Sequence, residues 1–184
     1  MTHPAILDAS NAALLVVDVQ DAFLKAIWER ARVVENTIRL IEAAKALDVP
    51  VLVTVQNAAR MGGCTQSVAS ALPQSETLDK MTFSCCGDAR FLHALEAVGR
   101  KQILICGVES HICVSQTAHD LLSMGFTVHI ARDAVSSRTQ ANWEVGIEKM
   151  RGSGCVITSA ESAIFELVRD ASTPAFKRIL PLVK

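Results

Sequence analysis

The chain has 184 residues, half of them hydrophobic, with a formal net charge of −1 from 18 basic and 19 acidic residues. That length suits one domain able to bury its own core without disulfide or metal support, and the hydrophobic share excludes a disordered chain. The charges are scattered and aromatics make up only 4%, with no tyrosine, so a small molecule is the expected partner, not nucleic acid or an anionic membrane.

At the N-terminus, MTHPAILDASNAALLVVDVQ lacks a basic leader, and its apolar run stops at Asp18, too short for a signal or a span. A cytoplasmic location is the default expectation. ALLVVD (13–18) reads as a first buried strand, followed by a helical pattern near 33–47 and a second strand in VLVTV (51–55). From Gln56 to Thr77 runs the longest irregular stretch. Loops of that length in a compact domain tend to be functional, and this one is placed to cover a pocket. A weaker strand passes through LDKMTF (78–83), then a helix near 89–98, the strand QILIC (102–106) and a helix over 111–124. TVHIA (127–131) and CVIT (155–158) are further strands, with helices near 140–151 and 160–169.

Strands separated by helices imply right-handed crossovers and an α/β fold of three layers. One domain over residues 1–184 is expected, with a six-stranded parallel sheet in the order 3-2-1-4-5-6. In that order strands one and four are neighbours whose connections leave in opposite directions, which opens a crevice beyond their carboxyl ends. Asp18 at the end of strand one then faces GVESHICV (107–114), the turn that follows strand four.

That turn carries Cys113. With Ser110 as helix N-cap, the thiol falls in the first turn, where free N–H groups and the positive end of the dipole favour a thiolate over the ordinary pKa of about 8.5. A nucleophile there has backbone N–H groups at hand for an oxyanion. Asp18, straight after an apolar run, is costly to bury unless paired; alone it reads as a cap or loop anchor. Lys80 alone reads as a solvated lysine. Other cysteine chemistries fail on spacing. A phosphatase loop needs arginine where His119 stands, and CxxC, GxGxxG and GxxxxGK are all absent. No cofactor is expected. The six cysteines, Cys64, Cys85, Cys86, Cys106, Cys113 and Cys155, read as free thiols of a reducing compartment, with Cys106 and Cys155 in the core.

DVQ at 18–20, the lysine in DKMTFS, and GVESHICVSQTAHDLLSMGFTVHIARDAVSSR together resemble the isochorismatase-like cysteine hydrolases, in particular the isochorismatase domain-containing group, from Ala12 to about Lys184. The resemblance implies a parallel sheet covered on both faces and a catalytic triad of Asp18, Lys80 and Cys113. It also implies a non-proline cis peptide joining Val108 to Glu109, and an oxyanion hole from the N–H groups of Glu109 and Cys113. The implied reaction is acyl transfer from a small amide through a thioester. Isochorismatases proper, which cleave a vinyl ether, lack the cysteine. Nicotinamidases carry metal-binding histidines that residues 54–80 do not contain, so no metal is expected. Oligomers are common in the family, so a homo-oligomer is expected, with the C-terminal FKRILPLVK a candidate contact.

Gln20, Phe23, Gln56 and Phe83, with Ser110 and His111 of the turn, are the substrate-binding candidates. Phe23 and Phe83 read equally as core aromatics, and Gln56 as a substrate contact or a tie for the long loop. His111 reads as structural or pocket-lining rather than catalytic, and with Cys113 it makes too few ligands for zinc. The vicinal pair Cys85 and Cys86 reads as packing. Asp133 and Arg138 read as fixing the turn after strand five, where Ser136 and Ser137 cap the loop. Two other classes stay open: a binding protein that keeps the fold without turnover, and a redox-sensing thiol protein.

Overall fold

The computed structural model describes residues 3–72 and 76–183. Residues 1–2, 73–75 and 184, which include part of the long loop and the last residue of FKRILPLVK, lie outside the described residues. In chain order the elements are β1 (Ala12–Val17), α1 (Asp21–Leu24), α2 (Arg30–Ala46), β2 (Val51–Gln56), α3 (Ala58–Met61), α4 (Gln66–Ala71) and β3 (Thr77–Lys80). They continue with α5 (Ala89–Val98), β4 (Gln102–Val108), α6 (Cys113–Ser123), β5 (Thr127–Ser136), α7 (Gln140–Gly152), β6 (Val156–Thr158), α8 (Ala160–Val168) and α9 (Pro174–Ile179).

The strands form one 6-stranded sheet in the order β3-β2-β1-β4-β5-β6, as the alternation of apolar runs and helices predicts. Every pairing is parallel. β1 and β4 are buried at every position because both faces are covered. Period two sends Leu14, Val16, Leu104 and Cys106 to the core beneath α2 and α8. Leu15, Val17, Ile103 and Ile105 go to the core beneath α5, α6 and α7. Both thiols read as core cysteines, Cys106 and Cys155, are buried.

Side chains that accept backbone N–H bonds start the helices: Asp88 caps α5, Thr139 caps α7 and Ser159 caps α8. α6 departs from expectation. It begins at Cys113 with Ile112 in the cap position and no side-chain cap. Ser110 is engaged elsewhere, its hydroxyl 2.6 Å from that of Ser137. The Glu109 carbonyl instead accepts the N–H groups of Ile112 and Val114.

The stretch from Gln56 to Thr77 is more ordered than its composition suggests, since it holds α3 and α4. It folds back on β1 and α1, with the Thr65 N–H donating to the Val19 carbonyl at 2.8 Å. β5 runs five residues past the expected TVHIA, because the ladder resumes at Val135 and Ser136 after an irregularity between Ile105 and Gly107 on the partner strand. The C-terminal segment turns its apolar side inward. Ile179 is buried, and Phe176, Leu182 and Val183 pack on the core beneath α2, while Lys177, Arg178 and Pro181 are exposed. Among the described residues no helix is long and apolar enough to cross a membrane.

Candidate active site

The carboxyl ends of β3, β2, β1, β4 and β5 stand side by side and bring Lys80, Gln56, Asp18, Glu109 and Arg138 to one rim. β1 and β4 form the switch point there. Gly107 makes their close approach possible: it has φ of +112°, and a Cβ at this position would collide with the Val17 carbonyl. One residue beyond β1, Asp18 takes a left-handed φ of 52°, which turns its carboxylate out of the strand path. Val108 and Glu109 are joined by a cis peptide bond.

Asp18 and Lys80 are each 1% exposed and form an ion pair, Nζ to Oδ2, of 2.7 Å. A buried pair is tolerable only when its remaining hydrogen-bonding capacity is met. Thr54 donates its hydroxyl to Asp18 Oδ1 at 2.9 Å. The three N–H groups of the Lys80 ammonium are shared among Asp18, Gln56 Oε1 at 2.7 Å, and the carbonyls of Thr82 and Phe83 at 3.3 and 3.2 Å. Cys113 lines the same cavity as Asp18, and the carboxylate acts on its thiol there. The structure therefore brings the three side chains singled out from sequence to one place, the Asp18–Lys80 pair beside Cys113.

The expected preformed thiolate does not fit this arrangement. Burial, and then the Asp18 carboxylate, push the Cys113 thiol up to about 12, with Lys80 pulling the other way. The helix terminus is outweighed because the thiol is taken out of water beside an anion.

A cavity of about 110 Å³ opens over Cys113. Asp18, Gln56, Glu109 and Arg138 line it, together with Phe23, Phe83, Val108 and Ile112. Glu109 and Cys113 both line it, and among the described residues neither backbone N–H has an acceptor in the turns and caps. Phe83 is exposed at the mouth and Phe23 is half-buried.

The other substrate-binding candidates sit differently. Gln20 is fully buried outside the cavity. Its amide bonds the Gln56 and Gly62 carbonyls at 3.1 and 2.7 Å and accepts the Gln56 N–H at 2.7 Å, tying down the loop after β2. Gln56 lines the cavity, but its side chain is spent on Lys80 and on the Met81 carbonyl at 2.8 Å. Ser110 and His111 both meet the Ser137 hydroxyl and lie outside the lining. Among the described residues of the long loop only Gln56 lines the cavity.

Thr54 escapes a reading of the sequence, and Arg138 is read there only as fixing the turn after strand five. Thr54 shares a strand face with Gln56 and is polar in an apolar run, a period-two signal for a residue aimed at the same site. Arg138 grips Glu109 with its Nε and Nη2 at 3.1 and 2.9 Å, while its backbone N–H donates to the same carboxylate at 2.9 Å. It thereby ties the turn after β5 to the turn before Cys113. Asp133 lies within β5 and accepts the Ala160 N–H at the start of α8 at 2.8 Å, so its expected role in the turn after strand five is corrected. Cys85 lies below the site, its sulfur 3.7 Å from the Thr54 hydroxyl, and all six cysteines are free. Among the described residues no group of three or more His, Cys, Asp or Glu side chains is arranged to hold a metal ion.

Residues 12–162 match the model of the isochorismatase domain. The chain is 41% identical over 178 residues to the secreted isochorismatase effector Isc1 of Phytophthora sojae, covering 95% of this chain and 85% of that protein. The structure of the MAR1 ribonuclease from Caenorhabditis elegans superposes with a TM-score of 0.92 at 31% identity, covering 97% of this chain and 92% of that one. The YcaC gene product of Escherichia coli, titled an octameric hydrolase of unknown specificity, shares the fold with a TM-score of 0.91 at 22% identity over 99% of this chain and 91% of its own. With its sheet order, its strand-end site and a domain match over most of its length, the chain belongs to the isochorismatase family.

Proposed function

We propose that this isochorismatase-family chain is a cysteine hydrolase that cleaves a small amide through a thioester. Asp18, paired with Lys80, takes the proton from Cys113 as the sulfur attacks the carbonyl carbon. The oxyanion receives the N–H groups of Glu109 and Cys113, fixed donors in a cavity shielded from bulk water. As the C–N bond breaks, Asp18 returns the proton to the leaving nitrogen, and ammonia or an amine departs. Water, deprotonated by Asp18, then attacks the thioester and releases a carboxylic acid and the thiol.

One observation carries this reading: a buried carboxylate, paired with an ammonium, lines the same cavity as a thiol at the start of a helix. A redox-sensing role has less support, because such thiols have low pKa values and stand open to solvent, whereas burial pushes Cys113 up. The ribonuclease named for the nematode neighbour is not carried over, since neither cation at the rim is free for a phosphate: Lys80 is held by Asp18 and Arg138 by Glu109. The reading includes a homo-oligomer, for which exposed Met81 and Phe83 beside the cavity mouth offer apolar surface. Free thiols throughout suit a cytoplasmic setting.

A screen of small primary amides for ammonia release tests the reaction. Cys113→Ala should lose at least about 10⁴-fold in rate on any substrate found, and mass spectrometry of the wild type should catch an acyl group on the Cys113 peptide. Turnover that survives the substitution would sink the mechanism.

A further inference from the structure

Next to the catalytic cavity lies a second hollow of about 240 Å³, more than twice its volume. The two share Phe23, Glu109 and Arg138, and the rest of the second is lined by Ala22, Ala26 and Ile27 from α1 and the turn after it. Among the described residues its only charged groups, Glu109 and Arg138, satisfy one another through two side-chain contacts of 2.9 and 3.1 Å. No unpaired charge there asks for an ionic ligand, and the remaining wall is aliphatic or aromatic.

We propose that this hollow is a second lobe of the substrate site and receives an uncharged aliphatic chain attached to the reacting carbonyl. The smaller cavity holds the carbonyl against Cys113 and its neighbouring N–H groups, and the chain passes Phe23 and lies along α1. The substrate class is then a straight-chain aliphatic amide rather than an aromatic or dianionic one. The proposal rests on the hydrolase reading above for the choice of amides, and the lobe itself can be tested without turnover.

The experiment is a calorimetric titration of the Cys113→Ala variant, which binds without turning over, with straight-chain primary amides from acetamide to hexanamide. Affinity should rise roughly fourfold for each methylene that enters the lobe, the value of burying one CH₂. Ala22 and Ala26 are exposed, so larger side chains there fill the hollow at little cost to the fold. Ala26→Phe and Ala22→Leu should each flatten the series. No binding of any member, equal affinity along the series, or a gain that survives both substitutions overturns the lobe. Ammonia release is followed on the same amides with the protein that keeps Cys113. Chain-dependent binding without ammonia sinks the amide reaction and leaves the lobe standing; ammonia release with neither affinity nor kcat/KM depending on chain length does the reverse.

Discussion

The Asp18 carboxylate and the Lys80 ammonium act on the Cys113 thiol with opposite sign, and burial sides with the carboxylate, so the thiol rests protonated. Far below a pKa of about 12, the thiolate fraction changes tenfold per pH unit. Alkylation of the Cys113 peptide by iodoacetamide should therefore climb about tenfold per unit from about pH 7 to 10 without levelling off. A plateau near neutrality would reveal a thiolate already formed and leave Asp18 nothing to accept. At this scale the sequence is legible where a residue type is out of place: a carboxylate ending an apolar strand, or a thiol in a tight turn. It is less so where the role depends on a partner. The grip of Arg138 on Glu109 joins residues 29 apart, and nothing in DAVSSR names that partner. Gln20 reads as a pocket residue because it flanks strand one, but its direction is set by the carbonyls of Gln56 and Gly62, which only the folded loop supplies.

Strands and the longer helices are legible because their apolar runs and periodicities are dictated by burial on both faces of the sheet. The start of α6 is not, because a cap made by a main-chain carbonyl has no residue-type signature. What holds that turn from behind is α7. A Cβ on Gly146 would lie 2.7 Å from the Ser110 carbonyl oxygen and 2.9 Å from the His111 nitrogen. Ala in place of Gly gains about 1 kcal/mol of helix propensity, while forcing atoms into a packed contact costs about 1–3 kcal/mol. Backbone on the receiving side cannot swing away, so the second effect should win. Gly152 of the same helix meets nothing within 4 Å and serves as the control. Gly146→Ala should lower the urea midpoint and slow Cys113 alkylation, whereas Gly152→Ala should leave the labelling rate alone and hold or raise the midpoint. Equal behaviour of the two variants would mean that α7 does not set the position of the nucleophile's turn.

At the scale of the whole molecule, the sheet that aligns the site also encloses a titratable group unrelated to catalysis. His129 on β5 is completely buried, and neither ring nitrogen has a hydrogen-bond partner among the described residues. Burial pulls its pKa down to about 4; the Pro4 carbonyl opposes the shift without reaching hydrogen-bonding geometry. In the unfolded chain the ring takes up a proton below about pH 6.5. The sign follows from which state binds the proton. Above about pH 6.5 both states are neutral and stability is at its full value, and as pH falls toward 4 only the unfolded chain is protonated, so each unit removes about 1.4 kcal/mol. Between about pH 6.5 and 5 the loss is about 2 kcal/mol, a sizeable part of the 5–15 kcal/mol that holds a typical domain together. Urea unfolding of the wild type and of His129→Leu across that range separates this ring from every other titrating group, because only the difference between the two curves is read. That difference should widen by about 2 kcal/mol toward acid, with the leucine variant keeping the stability that the wild type loses. Parallel curves would mean that the ring can take up its proton without the sheet opening.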